Sequence, residues 1–258
     1  MKTKSQLLLL AFFLIVSNLI GQDSLKNKQV FPAGISIEYG LGKYSVRDEY
    51  ISNEKYSGTL PNFSVGWSRF HNKHGYRLKL EYRRSTKISN NKISAEVKQF
   101  VFNQDFIYPI GKFLLFSKDV FVFLGPSMEI FIYNLEYDFV HHGSNLNADA
   151  SGYMVSLGIN SEFIYKLNTK LNIESFVRLN LLSVVSKEFD GNRYDESSPQ
   201  LMTVVSATNI DFDLSIRYYV FKKLSVKAGY RLELTRINKW DPFISCSDNL
   251  IFSLTYKF

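Results

Sequence analysis

The chain has 258 residues, with 31 Lys and Arg against 24 Asp and Glu, for a formal net charge of +7. That mild excess contains no basic run, which argues against a nucleic-acid partner. A single cysteine, Cys246, excludes an internal disulfide framework, while 22 Phe and 16 Tyr are more aromatic surface than a water-soluble core of this size needs.

The chain opens MKTKSQLLLLAFFLIVSNLIGQ. Lys2 and Lys4 give a positive start, Leu7 to Val16 an apolar core, and Gly21 a small residue before the expected cut. Residues 1–21 are therefore expected to be a cleaved export signal and 22–258 a single domain. No later run approaches the ~20 apolar residues of a membrane helix.

From there a two-residue alternation recurs. GISIEYGLG sets Ile35, Ile37, Tyr39 and Leu41 against Ser36, Glu38 and Gly40. NFSVGWS sets Phe63, Val65 and Trp67 against Ser64, Gly66 and Ser68. GYRLKLEYR sets Tyr76, Leu78, Leu80 and Tyr82 against Arg77, Lys79, Glu81 and Arg83. QFVFNQDFIY sets Phe100, Phe102, Phe106 and Tyr108 against Asn103 and Asp105, with Gln104 on the apolar face.

DVFVFLGPSMEIFIY is apolar on both faces, its Gly125-Pro126 suggests a bulge, and the facing of residues 125–139 stays open. GYMVSLGINSEFIY, KLNIESFVRLN, NIDFDLSIRYYV and KLSVKAGYRLELT alternate again. Their polar faces carry Glu162; Glu174 and Arg178; Asp211, Asp213 and Arg217; and Lys227, Arg231 and Glu233. The closing LIFSLTYKF places Leu250, Phe252, Leu254, Tyr256 and Phe258 on one face.

These are ten strands. Connections after even strands read as short, and those after odd strands (44–58, 86–96, 134–150, 186–203, 237–247) as long and polar. Such sorting predicts an all-β fold: a membrane-spanning antiparallel up-and-down β-barrel of about ten strands, eight being the alternative count, with short periplasmic turns and long extracellular loops. An even count brings the last strand beside the first and removes sheet edges. A two-sheet sandwich is the competing fold, and it leaves the sorting and the aromatic terminus unexplained.

IYPIGKFLLFSKDVFVFLGPSMEIFI, followed by GYMVSLGINSEFIYKLNTKLNIESFVRLNL, resembles the PorT-like outer-membrane barrel-domain family of Bacteroidota. The resemblance spans roughly residues 30–258. It implies an outer-membrane location and insertion by the outer-membrane assembly machinery. In such proteins that machinery reads a terminal strand like the one bearing Phe252, Leu254, Tyr256 and Phe258. It implies no catalysis; some members assist secretion.

With the polar parity inward, the lumen receives Glu38, Arg77, Lys79, Glu81, Arg83, Asp105, Glu162, Glu174, Arg178, Asp211, Asp213, Arg217, Lys227, Arg231 and Glu233. Acids and bases mixed at this density should pair and occlude, whereas a selective pore favours a ring of one sign. Catalytic signals are weak. Asp138, His141, Asp190, Asp195 and Asp241 fall in expected external loops, where an omptin-like hydrolase would carry its acids and histidine, without that family's local motifs. A serine–histidine hydrolase pair is not identifiable.

The adjacent His141 and His142 lack the further ligands of a metal site. No cofactor is expected. Tyr44, Tyr50, Tyr56, Tyr137, Phe139, Tyr194, Trp240 and Phe243 are expected in external loops, to meet a protein or glycan or to pack over the mouth. The sequence reading is a non-enzymatic outer-membrane barrel, structural or accessory to secretion or surface binding, in contact with outer-membrane lipid and lipopolysaccharide. Small-solute transport is the alternative.

Overall fold

The computed structural model describes residues 31, 33–49, 52–71, 74–90, 93–141, 144–189, 199–238 and 242–258. The expected export signal, His142, Asp190, Asp195, Asp241, Tyr50, Tyr194 and Trp240 lie outside the described residues. Among the described residues no helix is long and apolar enough to cross a membrane.

Twelve strands follow in order: β1 (Gly34–Asp48), β2 (Ser52–Thr59), β3 (Asn62–His71), β4 (His74–Ser89), β5 (Ser94–Leu115), β6 (Lys118–His141), β7 (Ser144–Lys166), β8 (Leu171–Phe189), β9 (Gln200–Thr203), β10 (Ala207–Phe221), β11 (Leu224–Ile237) and β12 (Phe243–Tyr256). All pair antiparallel in one sheet. β1 pairs β12 continuously from Ile35↔Tyr256 to Asp48↔Phe243, so the hydrogen bonds run round in a ring. Each of the ten expected segments falls on one of these strands, and most of the strands run several residues beyond the expected segment.

The two additional strands, β2 and β9, come from segments read as loops. β2 continues the line of β3 between β1 and β4. The break falls at Leu60–Pro61, where proline has no N–H to give. There the Leu60 N–H donates to Gly42 O and the Arg84 N–H to Pro61 O, which keeps the wall continuous. β9 lies beside β8 and is set off from β10 by a turn in which the Ser206 N–H donates to Thr203 O.

The expected long loops are the main correction. Residues 134–150 are mostly strand: β6 runs to His141 and β7 begins at Ser144. Likewise β1 reaches Asp48, β4 reaches Ser89 and β8 reaches Phe189. The short connection expected after QFVFNQDFIY, residues 109–119, shrinks to Phe116 and Ser117, whose φ values of 48° and 63° suit a two-residue hairpin turn. One end of the ring therefore carries tight turns, and the other carries overhanging strand ends.

Facing is set by the pleat. In β1, Ile35, Ile37, Tyr39 and Leu41 are exposed while Glu38 and Gly40 are buried inside. Beyond Gly42 the same parity puts Tyr44 and Val46 inside and Lys43, Ser45 and Arg47 outside. β6 repeats this: Ser127 and Glu129, then Phe131, Tyr133, Leu135 and Tyr137, all face in. The segment whose facing the sequence leaves open keeps one parity throughout; the polarity of its inward residues changes, not their direction.

No bulge occurs at Gly125-Pro126. Leu124↔Ser161, Gly125↔Asn160 and Pro126↔Ile159 stay in register, and the shift against β6 lies at Pro109/Gly111 instead. Pro126 cannot donate to the ladder. The Asn160 side-chain amide donates to the Phe106 and Pro126 carbonyls, both at 3.1 Å, and fills the gap. Gly125 is needed for the close approach, since a Cβ there would lie 1.9 Å from the Phe106 carbonyl oxygen.

Candidate functional site

The interior is stacked in three layers. At the turn end, Phe31, Phe70, Ile107, Phe121, Phe123 and Ile164 form an apolar floor. Phe31 lies 5.6 Å from Phe70 and 6.0 Å from Phe123, ring centre to ring centre. The guanidinium of Arg77 sits over Phe31 at 5.4 Å and begins the next layer.

That middle layer is ionic. Glu38 of β1 meets Lys79, Lys227 and Arg231 at 3.0, 3.4 and 2.7 Å. Glu81 meets Lys79, Arg83 and Arg231, and Glu233 meets Arg83 at 2.7 Å. Asp213 joins Lys227 and Arg231, both at 3.2 Å. Nearer the floor, Arg77 binds Glu162 and Arg217 binds Glu174, each at 2.7 Å. The pairs bridge strands far apart in sequence and tie opposite walls together.

On the β5–β10 side three carboxylates converge on the Arg178 guanidinium: Asp105 at 2.9 Å, Asp211 at 2.5 Å and Glu129 at 3.5 Å. Glu129 also accepts from the side-chain amides of Asn180 and Asn209. Phe176 faces inward between two cations, Arg77 at 5.4 Å and Arg178 at 5.2 Å. A cavity of about 110 Å³ remains among these groups, lined by Asn103, Asp105, Arg178, Asp213 and Arg231 among others. It has room for a few waters and for little else.

The loop-end layer is apolar again. Tyr44, Val46, Tyr56, Val97, Tyr133, Leu135, Tyr137 and Phe243 belong to one buried cluster. Tyr133 stacks on Phe243 at 4.6 Å, and Tyr56 meets Tyr137 edge-on at 5.0 Å. Burial pushes the Tyr133 and Tyr137 phenols far above the usual tyrosine range. One ion pair is embedded here, Asp48 with Lys187 at 3.3 Å, 0% and 2% exposed. Lys187 lies 5.9 Å from the Phe243 ring.

Outside this layer the wall is polar. Arg84 and Lys98 bind Glu96, and Lys98 binds Glu136 at 2.8 Å. The hydrogen bond to Glu136 raises the Lys98 ammonium above its ordinary value.

All fifteen charged residues assigned to the interior from sequence lie in the ionic layer, each with at least one ion pair. Tyr44, Tyr56, Tyr137 and Phe243, expected in external loops, are instead buried inside. Phe252, Leu254, Tyr256 and Phe258 face outward, 47% to 73% exposed. Sequence reasoning missed Glu129, Phe176, Asp48, Lys187 and Ile251. Glu129 and Ile251 were recoverable by carrying one parity along the strand, and Ile251 fits inside because it pairs with Gly40 and Gly229. Asp138 is exposed on the outer wall. Among the described residues no group of three or more His, Cys, Asp and Glu is placed to hold a metal.

No family model and no curated protein matches the chain. Solved structures do. The outer membrane protease OmpT from Escherichia coli aligns with 88% of this chain and 97% of its own, at 8% identity and a TM-score of 0.51. The translocator domain of autotransporter NalP from Neisseria meningitidis covers 100% and 98% at 11% identity and 0.48. The beta domain of the Bordetella autotransporter BrkA covers 87% and 100% at 14% and 0.46. The fold is similar to that of outer-membrane β-barrels.

Proposed function

We propose that this protein is an integral outer-membrane β-barrel of ten staves, β2 with β3 and β9 with β10 each forming one, and that it works without catalysis or conduction. It serves as a rigid, closed post, structural or accessory to secretion or surface binding. The observation that carries this reading is the interior, which among the described residues is packed by an apolar floor, a cross-braced ionic layer and an apolar loop end.

The outer surface supports the location. Ile37, Phe63, Leu80, Leu214, Phe252 and Leu254 are each more than 40% exposed. A surface of such residues running round the ring is stable against lipid and not against water. The turn end then faces the periplasm and the loop end the exterior, with outer-membrane lipid and lipopolysaccharide around the belt. The outward face of β12 is what the assembly machinery reads. A narrower place among PorT-like barrels rests on the residues quoted above. A protein partner would dock on the polar loop-end wall, because Tyr44, Tyr56, Tyr137 and Phe243 point inward.

Planar-bilayer recording of the refolded protein tests the closed interior. Little or no steady conductance is expected. Large, stable openings would overturn the reading and put small-solute transport in its place.

A further inference from the structure

Trp67 and Arg69 of β3, His74 and Tyr76 of β4 and Phe106 of β5 line an open groove of about 430 Å³ on the outer wall near the turn end. Arg69 is the cross-strand partner of Tyr76, and Tyr76 of Phe106. The Trp67 and Tyr76 rings lie 5.8 Å apart and the Tyr76 and Phe106 rings 5.1 Å, both edge-on, so they make one aromatic shelf.

Above the shelf, toward the loop end, the same strand exposes Phe63 and Val65. Below it Arg69 is exposed. The outer-wall ion pairs join Arg47, Arg84, Lys98 and Lys112 to acids, and Arg69 is not among them. Its guanidinium presents a planar fork suited to a phosphate.

We propose that this groove binds an anionic glycerophospholipid of the leaflet at the turn end, its phosphate on Arg69 and its acyl chains across Trp67, Tyr76 and Phe106. The inference rests on the membrane-barrel reading. Three features select this occupant. The groove is continuous with the apolar belt, so whatever fills it must enter hydrocarbon. Its mouth carries Trp and Tyr, which sit at headgroup depth. Its charge at the rim is a cation, which favours a headgroup of net negative charge over one carrying its own ammonium.

The protein holds two tryptophans, Trp67 and Trp240. In full-length protein carrying Trp240→Phe, folded into vesicles, Trp67 fluorescence reports the lipid against the shelf. Quenching by brominated phosphatidylglycerol is expected to exceed that by brominated phosphatidylcholine, with a relative association constant of about fivefold at low salt. Arg69→Gln should bring the ratio to about one, and Arg69→Lys should retain most of it.

Equal quenching by the two lipids in the parent protein would overturn the site while leaving the barrel intact. A preference that survives Arg69→Gln would overturn it as well, by removing the guanidinium as the anchor. Absence of quenching by either lipid would overturn the site together with the membrane reading. The heat-dependent gel shift establishes that each variant is folded before its quenching is read.

Discussion

The two halves of β1 obey one geometry and opposite chemistry. Toward the turn end it sends Ile35, Ile37, Tyr39 and Leu41 outward and Glu38 inward; toward the loop end it sends Lys43 and Arg47 outward and Tyr44 and Val46 inward. β6 changes in the same way between Glu129 and Phe131. A strand has only two faces, so the pleat decides which residues share a side. The surroundings decide which side must be apolar. On the proposed membrane reading the outside of the belt is lipid, and a polar interior can be satisfied by cross-bracing ion pairs. Beyond the belt the outside is water, and the ring is built like a soluble protein with its apolar residues within.

The interiors of the two halves should therefore fail differently, and the largest effect belongs to the belt. Arg178→Met removes the cation shared by Asp105, Glu129 and Asp211. Stranding buried charges in this way costs about 3–5 kcal/mol. Denaturant titration in lipid should show that loss, and adding Asp211→Asn should recover part of it by removing one of the stranded carboxylates. At the loop end Leu135, fully buried, should accept Met for less than about 1.5 kcal/mol. Equal costs at the two sites would mean that the ionic layer does not brace the barrel.

The outer faces come next. Leu254 and Ile37 are cross-strand partners, both exposed, in the belt. Leu254→Arg should cost about 2–4 kcal/mol if the position lies near the bilayer midplane. The heat-dependent gel shift of membrane fractions should show a smaller folded population. Wild-type folding would place lipid elsewhere.

The same division explains what was legible in the sequence. Segments such as GYRLKLEYR lie wholly in the belt, so polarity and facing coincide and the alternation reads cleanly. In β6 the polarity changes sides mid-strand, and Phe131, Tyr133 and Leu135 look like a reversed parity although the pleat is unbroken. The residues just beyond, with polar side chains outside and aromatics inside, matched neither a lipid-facing strand nor a clean loop. That pattern reads as loop, which hides Asp48 and Lys187. The partners within the ionic layer were illegible for another reason: Arg83–Glu233 and Arg77–Glu162 depend on curvature and closure, which local pattern does not carry.

Asn160 offers a smaller effect at the boundary between backbone and interior. Its amide serves the Phe106 and Pro126 carbonyls at the place where proline interrupts the ladder. Asn160→Ala leaves those carbonyls with fewer donors and should cost about 1–3 kcal/mol. Hydrogen exchange should quicken locally in β5 and β6. A variant with Pro126→Ala as well, whose N–H is restored, should lose less than Asn160→Ala alone. If the double variant is no better, the side chain is not standing in for the missing backbone donor.

The smallest expected effect is also the sharpest test of where the two halves meet. Ser45 shares β1 and its outward face with Ile37, eight positions away, but lies beyond the belt between the outward Lys43 and Arg47. It pairs with Cys246 on one side and Ser57 on the other. An arginine at Ser45 can extend into water beside other solvated groups, so Ser45→Arg should change stability by no more than about 0.5 kcal/mol. Leu41→Arg, at the belt's rim, should cost about 0–1 kcal/mol, and Ile37→Arg the most of the three. Salt discriminates further, because the added repulsion from Lys43 and Arg47 is exposed and fades above ~0.5 M, whereas the cost of a cation in hydrocarbon does not. A gradient falling from Ile37 to Ser45 locates the lipid boundary on β1 near Gly42. If Ser45→Arg were as damaging as Ile37→Arg at high salt, lipid would cover the loop end too, and its apolar interior would need another cause.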